Sequence, residues 1–355
     1  MSTSLQSPIY RRAGPALLVL GAFVVICAGI KLAAPLLVPF LLAGFVATAT
    51  APLVLYLYRR GLPRGVVVLI GLLVDLAALA FLGAMIAISV GALARRVPIY
   101  QERVAELSRD LTLFVVDLGV GVSPESIRTA IDPSWMVEVL TGLLQEVASL
   151  VSRLVLILLI VSFMLFEVTG LPVKVRSVFA TQDSVDRLKR AATEVNKYVQ
   201  VKTATSLGTG VLIALWCWGF DLDLPILWGL LAFLLNYIPT IGSIVAAVPA
   251  VALALLQHDP GTALAVLSGY ILINFSIGNV LDPRLMGDAL GLSPLVVFLS
   301  MIFWGWLLGP VGALLSAPMT MIVKMLLAVS DDLAWVAALL GPVPRLPRTG
   351  PEGST

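Results

Sequence analysis

Residues 228–256 read WGLLAFLLNYIPTIGSIVAAVPAVALALL, an apolar run interrupted near its centre by Asn236, Pro239 and Gly242. One helical crossing of a bilayer takes about 20 apolar residues, so the run is too long for one straight span and short for two spans with a loop. Proline removes a backbone donor and glycine opens unusual dihedrals. Such irregular backbone is tolerated at membrane depth only inside protein or beside an aqueous cavity. The break is therefore the first candidate site. Residues 295–329, LVVFLSMIFWGWLLGPVGALLSAPMTMIVKMLLAV, repeat the pattern, with breaks at Gly309, Pro310 and Gly312 and again at Pro318. Pro239, Gly242 and Pro249 in the first block parallel Pro310, Gly312 and Pro318 in the second, a weak internal repeat. Paired Gly/Pro-interrupted segments point to the binding site of a secondary transporter, because half-helix ends offer unpaired N–H and C=O groups to a solute or ion.

Working outward, the composition fits a polytopic all-α membrane protein. The 355 residues are 59% hydrophobic and 12% charged, with mean hydropathy +1.02, whereas soluble domains carry about 25% charged residues. A net charge of +2 gives no basic surface for nucleic acid. Cys27 and Cys217 fall in predicted spans and read as packing residues. Arg11 and Arg12 before the apolar run 15–30 imitate a signal peptide, but further spans follow, so the run is read as a retained first span.

In chain order, Pro35 and Pro39 punctuate a turn, so residues 15–31 and 41–58 are expected to form a hairpin of two helices. Arg59, Arg60 and Arg64, with Arg11 and Arg12, place that loop and the N-terminus in the cytoplasm by the positive-inside rule. A third span runs over 66–93 and contains Asp75. Its functional reading is a proton or cation relay; bonding to a neighbouring helix is the favoured alternative, because a lipid-facing carboxylate costs about 2.5–3.5 kcal/mol at mid-bilayer. Residues 95–150 form an external amphipathic segment. In it Val97, Tyr100, Val104, Leu107, Leu111, Phe114 and Leu118 share one helix face, and Ile127, Ile131, Trp135, Val139, Leu143 and Val147 a second.

A fourth span, 151–166, leads to a basic segment, 171–206, with Lys174, Arg176, Arg187, Lys189, Arg190, Lys197 and Lys202. The stripe Val185, Leu188, Ala192, Val195 and Val199 suits a helix lying on the membrane surface or on neighbouring helices. A fifth span, 207–220, ends at Asp221 and Asp223, read as solvated caps. A last span, 263–280, runs into NVLDPRLMG. If each broken block is a re-entrant hairpin, one entering from outside and one from inside, Arg284, Arg345 and Arg348 all stay cytoplasmic. The expectation is six crossings plus two oppositely oriented hairpins. The units are 1–94, 95–150, 151–206, a transport core at 207–330 and a partly disordered cytoplasmic tail at 331–355.

Asn236 can both donate to and accept from a polar solute or, equally, cap the broken helix. Asp282 is a candidate cation or proton ligand, set against an Asp-Pro turn in which it pairs locally with Arg284 beside Pro283. Asn274 and Asn279 are placed on the same pathway, with a bond to a neighbouring helix as the alternative for Asn274. Trp304 and Trp306 read as interface anchors or packing. No H-E-x-x-H, G-x-S-x-G, Cys/His cluster or P-loop occurs, and the single histidine, His258, lies at a predicted membrane edge. Enzymatic chemistry, a metal, a cofactor and ATP bound to this chain are therefore not expected.

The combination of NYIPTIGSIVAAVPA at 236–250, NVLDPRLMG at 279–287, GLSPLVV at 291–297 and FWGWLLGPVGALLSAP at 303–318 resembles the autoinducer-2 exporter family of bacterial membrane transporters, over most of the chain. The resemblance implies export of a small polar signal, with sodium/proton antiport in some members. It also implies a bacterial cytoplasmic-membrane location and a homo-oligomer, with a pentamer in view. The family pattern falls on Asn236, Pro239, Gly242, Asn279, Asp282, Pro283, Gly309, Pro310 and Gly312. The expected function is a secondary transporter or facilitator working by alternating access, its partners a polar solute, the lipid bilayer and a coupling sodium or proton. A sodium/proton antiporter is the rival, and a non-transporting scaffold or channel the rival of another class.

Overall fold

The computed structural model describes residues 8–117, 142, 154–168, 182–239, 241–286, 291–329 and 333–342. They are helical almost throughout, and no strand occurs among them. The helices are α1 (Pro8–Arg59), α2 (Arg64–Asp117), α3 (Leu154–Val168), α4 (Gln182–Gly219), α5 (Pro225–Leu235), α6 (Ile241–Gln257) and α7 (Pro260–Phe275). A π-helical turn, Ser276–Leu281, carries α7 into α8 (Asp282–Met286), and α9 (Pro294–Leu308), α10 (Pro310–Leu314), α11 (Ser316–Val329) and α12 (Ala334–Leu339) follow. Leu20–Arg59, Arg64–Arg96 and Pro260–Met286 are long and apolar enough to cross a bilayer. Large apolar side chains face outward along them and along the shorter apolar helices: Leu32 is 85% exposed and Val155 78%. An outer face of this kind suits lipid and not water.

Pro35 and Pro39 do not turn the chain. α1 runs unbroken through both, about 78 Å at 1.5 Å per residue, so one long helix replaces the expected pair of N-terminal spans. An internal proline costs one hydrogen bond and bends a helix, but reversal needs residues that can leave helical geometry. Residues 32–42 are entirely apolar and hold no Gly, Asn, Asp or Ser. The helix therefore separates Arg11 and Arg12 from Arg59 by most of its length, and their placement on one side no longer follows from a hairpin. The third span likewise continues without a break through Pro98 into the first amphipathic stripe as α2. The basic stripe and the fifth span are one continuous helix, α4, and not a surface helix followed by a span. The second amphipathic stripe, the basic residues at 174 and 176, and the tail beyond 342 lie outside the described residues.

Two of the packing clusters among the described residues bear on the site, one N-terminal and one around α4 and α5. In the N-terminal unit, Ala43, Ala47 and Val54 of α1 meet Val67 and Val68 of α2 and Ile157, Ile160, Val161 and Leu165 of α3. Gly71 permits the approach, since a Cβ there would lie 2.9 Å from a Val54 methyl and 3.1 Å from one of Leu165. In the second unit α4 and α5 run antiparallel with their backbones touching: a Cβ on Gly210 would lie 2.6 Å from the Gly229 carbonyl oxygen, and one on Gly229 2.5 Å from that of Gly210. Small residues at a crossing let helices associate in lipid, where no hydrophobic force draws them together.

Each broken block is a helical hairpin whose ends meet. The Asp223 N–H, ahead of α5, donates to Gln257 Oε1 at the end of α6 at 3.0 Å. Lys324 of α11 donates to the Gly291 carbonyl ahead of α9, and Trp304 Nε1 donates to Thr320 Oγ1 at 2.9 Å. α5, at 11 residues, is about 16 Å long, roughly half of a 30 Å hydrocarbon core.

The base of the first hairpin is tied to α2. Tyr100 donates to Asp223 Oδ2 at 2.6 Å, Arg96 pairs with the same carboxylate, and Trp228 Nε1 donates to the Asp223 carbonyl at 2.7 Å. Burial and the Asp223 hydrogen bond hold the Tyr100 hydroxyl protonated well above its ordinary range. Asp223 is thus a structural tie and not the solvated cap expected of it.

Asp259 caps α7 through bonds from Gly261 N–H at 2.7 Å and Thr262 N–H at 3.1 Å. The amide and hydroxyl of Thr262, then the Gly261 amide, hold its carboxyl below the usual range. The cap's contribution is therefore present above the unfolded carboxyl value of about 3.9 and is lost as pH falls through the lower folded value. Protection of the Gly261 and Thr262 amides, relative to their intrinsic exchange rates, is expected to fall at acid pH and to be low already at neutral pH in Asp259→Ala.

Candidate functional site

The site grows from one face of α4. Residues four apart on a helix stack on one side, and Tyr198, Lys202 and Ser206 form such a column, with Thr203 beside it. Tyr198 is 4% exposed and Ser206 fully buried. Gly210, one turn beyond Ser206, holds α4 against α5, and this contact brings the first hairpin tip onto the column. Asn236 Nδ2 donates to Ser206 Oγ at 2.9 Å, and the Tyr237 hydroxyl donates to Thr203 Oγ1 at 2.9 Å. Thr203 in turn donates to the Val199 carbonyl at 2.7 Å. The Tyr237 ring is wedged edge-on between Phe45 and Phe233.

Asp282 reaches the same column from the start of α8. Its Oδ2 lies 3.0 Å from Lys202 Nζ, with the two side chains 12% and 11% exposed. Its Oδ1 is buried and has no hydrogen-bond partner among the described residues. An expected pairing with Arg284 gives way to this one for a geometric reason: residues two apart on a helix do not face each other, and Arg284 is exposed. Asn236 and Asp282 thus converge on α4 at positions one turn apart, about 6 Å along its axis. The site offers a cation, a carboxylate oxygen with spare acceptor capacity, an amide and two hydroxyls, with aromatic walls.

Asn274 bonds its own helix, donating to the Tyr270 carbonyl at 2.8 Å, and Asn279 is exposed in the π-turn; neither is linked to Asn236 or Asp282. Pro283 is exposed, Pro249 half-buried inside α6 and Pro318 buried inside α11. At the first tip, Pro239 lies between α5 and α6, and a Cβ on Gly242 would lie 1.8 Å from the Leu235 carbonyl oxygen. At the second, a Cβ on Gly312 would lie 2.0 Å from the Trp304 carbonyl oxygen. Gly309 there adopts φ 72°, ψ −157°, open essentially to glycine alone, and Pro310 starts α10 at the position where its missing N–H costs nothing. The two tips therefore share one device, a glycine pressed on the backbone of the preceding helix. Trp306 is exposed, with the Lys31 ammonium 4.4 Å from its ring centre.

Lys202, Ser206, Thr203 and Tyr198 were not among the site residues expected from sequence. Lys202 reads as one more cytoplasmic cation because its neighbours are basic. The available signal was the run KTATS at 202–206, where the last cation before a long apolar stretch is followed by three hydroxyl residues.

Lipid-facing helices, two hairpins broken at glycine and proline, and a buried polar column met by the tip of the first define a multi-pass membrane protein of the transporter class. The chain belongs to the AI-2E transporter family, whose description, AI-2E family transporter, matches residues 20–331. It is 41% identical over 324 residues to the AI-2 transport protein TqsA of Escherichia coli K12, covering 91% of this chain and 94% of that one. It is 37% identical over 327 residues to YhhT of the same organism, covering 92% and 94%. With YueF of Bacillus subtilis it shares 24% over 303 residues, covering 81% and 82%.

Proposed function

We propose that the chain is a secondary transporter or facilitator that exports a small polar solute of the autoinducer-2 type by alternating access. The observation that carries the reading is the convergence of Asn236, from the tip of the first hairpin, and Asp282, from the π-turn after α7, on the buried Lys202–Ser206 face of α4. Lys202 and the unpartnered Asp282 oxygen supply charge-assisted hydrogen bonds to hydroxyl or carbonyl groups of a solute, and Asn236 exchanges Ser206 for the solute. In this reading the hairpins are re-entrant with opposite orientation, and the 59–64 loop and the C-terminal tail face the cytoplasm of a bacterial cell, on the inner membrane. The protein works as a homo-oligomer in the bilayer. The name of TqsA, AI-2 transport protein, a relative covered almost end to end, supports autoinducer-2 as the first solute to try.

The unpartnered Asp282 oxygen favours a second reading, a sodium/proton antiporter in which this carboxylate binds the ion. Flux in proteoliposomes separates the two. Asn236→Ala is expected to cut solute efflux about tenfold or more, the equivalent of one lost orienting hydrogen bond of about 1.4 kcal/mol, with no change in sodium movement. Sodium movement driven by a pH gradient and lost in Asp282→Asn establishes the antiporter instead. Neither flux from correctly folded wild-type protein sinks both readings and leaves a scaffold.

A further inference from the structure

A second buried carboxylate lies outside this site. Asp75 sits within the apolar, bilayer-length stretch of α2 and is 5% exposed. As expected of an in-span acid, it bonds a neighbouring helix: Thr50 Oγ1 of α1 donates to its Oδ1 at 2.5 Å. That bond does not complete its needs. Oδ2 is buried with no partner among the described residues. One turn away, Gly71 leaves no free volume between Val54 and Leu165, and the unit around it is otherwise aliphatic.

No described charge compensates Asp75. On α1, α2 and α3, Lys31, Arg59, Arg64, Arg95, Arg96 and Glu167 are all exposed. α4, which packs on α1 where Tyr198 and Val199 meet Phe45 and Ala49, has Lys202 engaged by Asp282 and Lys189, Arg190, Glu194 and Lys197 exposed. The helices α5, α6 and α9 carry no charged residue. An ionised carboxylate here leaves charge on a buried oxygen without a donor, whereas the protonated form leaves only a neutral polar atom unpaired, at much lower cost. In an apolar site with a single hydroxyl, the group neutralises rather than staying charged.

We propose that Asp75 is a proton-binding site of the N-terminal unit, neutral while α1, α2 and α3 are packed as here and separate from the solute site. Losing the proton requires α1 and α2 to part and admit water or a monovalent cation, so protonation and helix packing are linked.

Infrared spectroscopy of the full chain in lipid nanodiscs reads the carboxyl directly. At neutral pH, wild type is expected to show a deuterium-sensitive C=O band of a protonated carboxyl. This band is lost in Asp75→Asn and displaced in Thr50→Val, which removes its hydroxyl partner. Wild-type and Asp75→Asn spectra that superimpose in this region overturn the proposal. Should Asp75→Asn fail to fold, Thr50→Val and Asp75→Glu keep the carboxyl and decide: a displaced band in either supports the site, and an unmoved or absent band in both overturns it.

Discussion

Lys202→Met is expected to lower the stability of the folded protein by about 3–5 kcal/mol, the cost of leaving a buried charge without its partner. The loss comes from Asp282, which is 9% exposed and has one oxygen without a partner among the described residues; without Lys202 neither oxygen has a side-chain partner among them. Combining Lys202→Met with Asp282→Leu removes both charges and is expected to recover most of the stability, because a buried pair is about neutral in stability against an apolar pair of similar volume. Transport stays lost in the double variant, since both ligands are gone. Thermal unfolding followed together with flux separates these effects. A double variant as unstable as the single one would mean that the two groups are not coupled.

Gly242→Ala and Gly312→Ala are each expected to destabilise the fold strongly. In each, the new methyl falls about 2 Å from a carbonyl oxygen, that of Leu235 or Trp304, and the obstacle is backbone, which cannot swing aside as a side chain can. The cost is expected to exceed the roughly 1–3 kcal/mol typical of overpacking and to be similar at the two tips. Gly208→Ala, where a Cβ meets nothing within 4 Å, is the control and should carry no cost. Lower melting temperatures at both tips with an unchanged Gly208→Ala are the expected pattern; a tolerated alanine at either tip contradicts the shared geometry.

The broken blocks were legible because proline, glycine and asparagine in the middle of an apolar run have few other uses in a bilayer. Their correspondence also held in three dimensions, down to the glycine that each tip presses against the preceding helix. Asp75 was legible as a hydrogen-bonded in-span acid, though not as a half-satisfied one. Proline alone does not make a turn at Pro35 and Pro39, because an apolar stretch in lipid must keep its backbone bonds inside the helix and tolerates a bend sooner than a loop. Lys202 was hidden for another reason. Charge counting assigns sides of a membrane, but only the helix crossing at Gly210 and Gly229 and the π-turn before Asp282 decide which lysine is turned inward, and both depend on tertiary contacts.

Alternating access at this site is read from its accessibility on the two sides of the membrane. Ser206→Cys, in a background with Cys27 and Cys217 replaced by alanine, puts a thiol where Asn236 meets α4. With an impermeant thiol reagent on one side of oriented proteoliposomes at a time, reversing the solute gradient is expected to raise modification from one side and lower it from the other. Equal modification from both sides at once, or from one side only under every gradient, contradicts alternating access at this site.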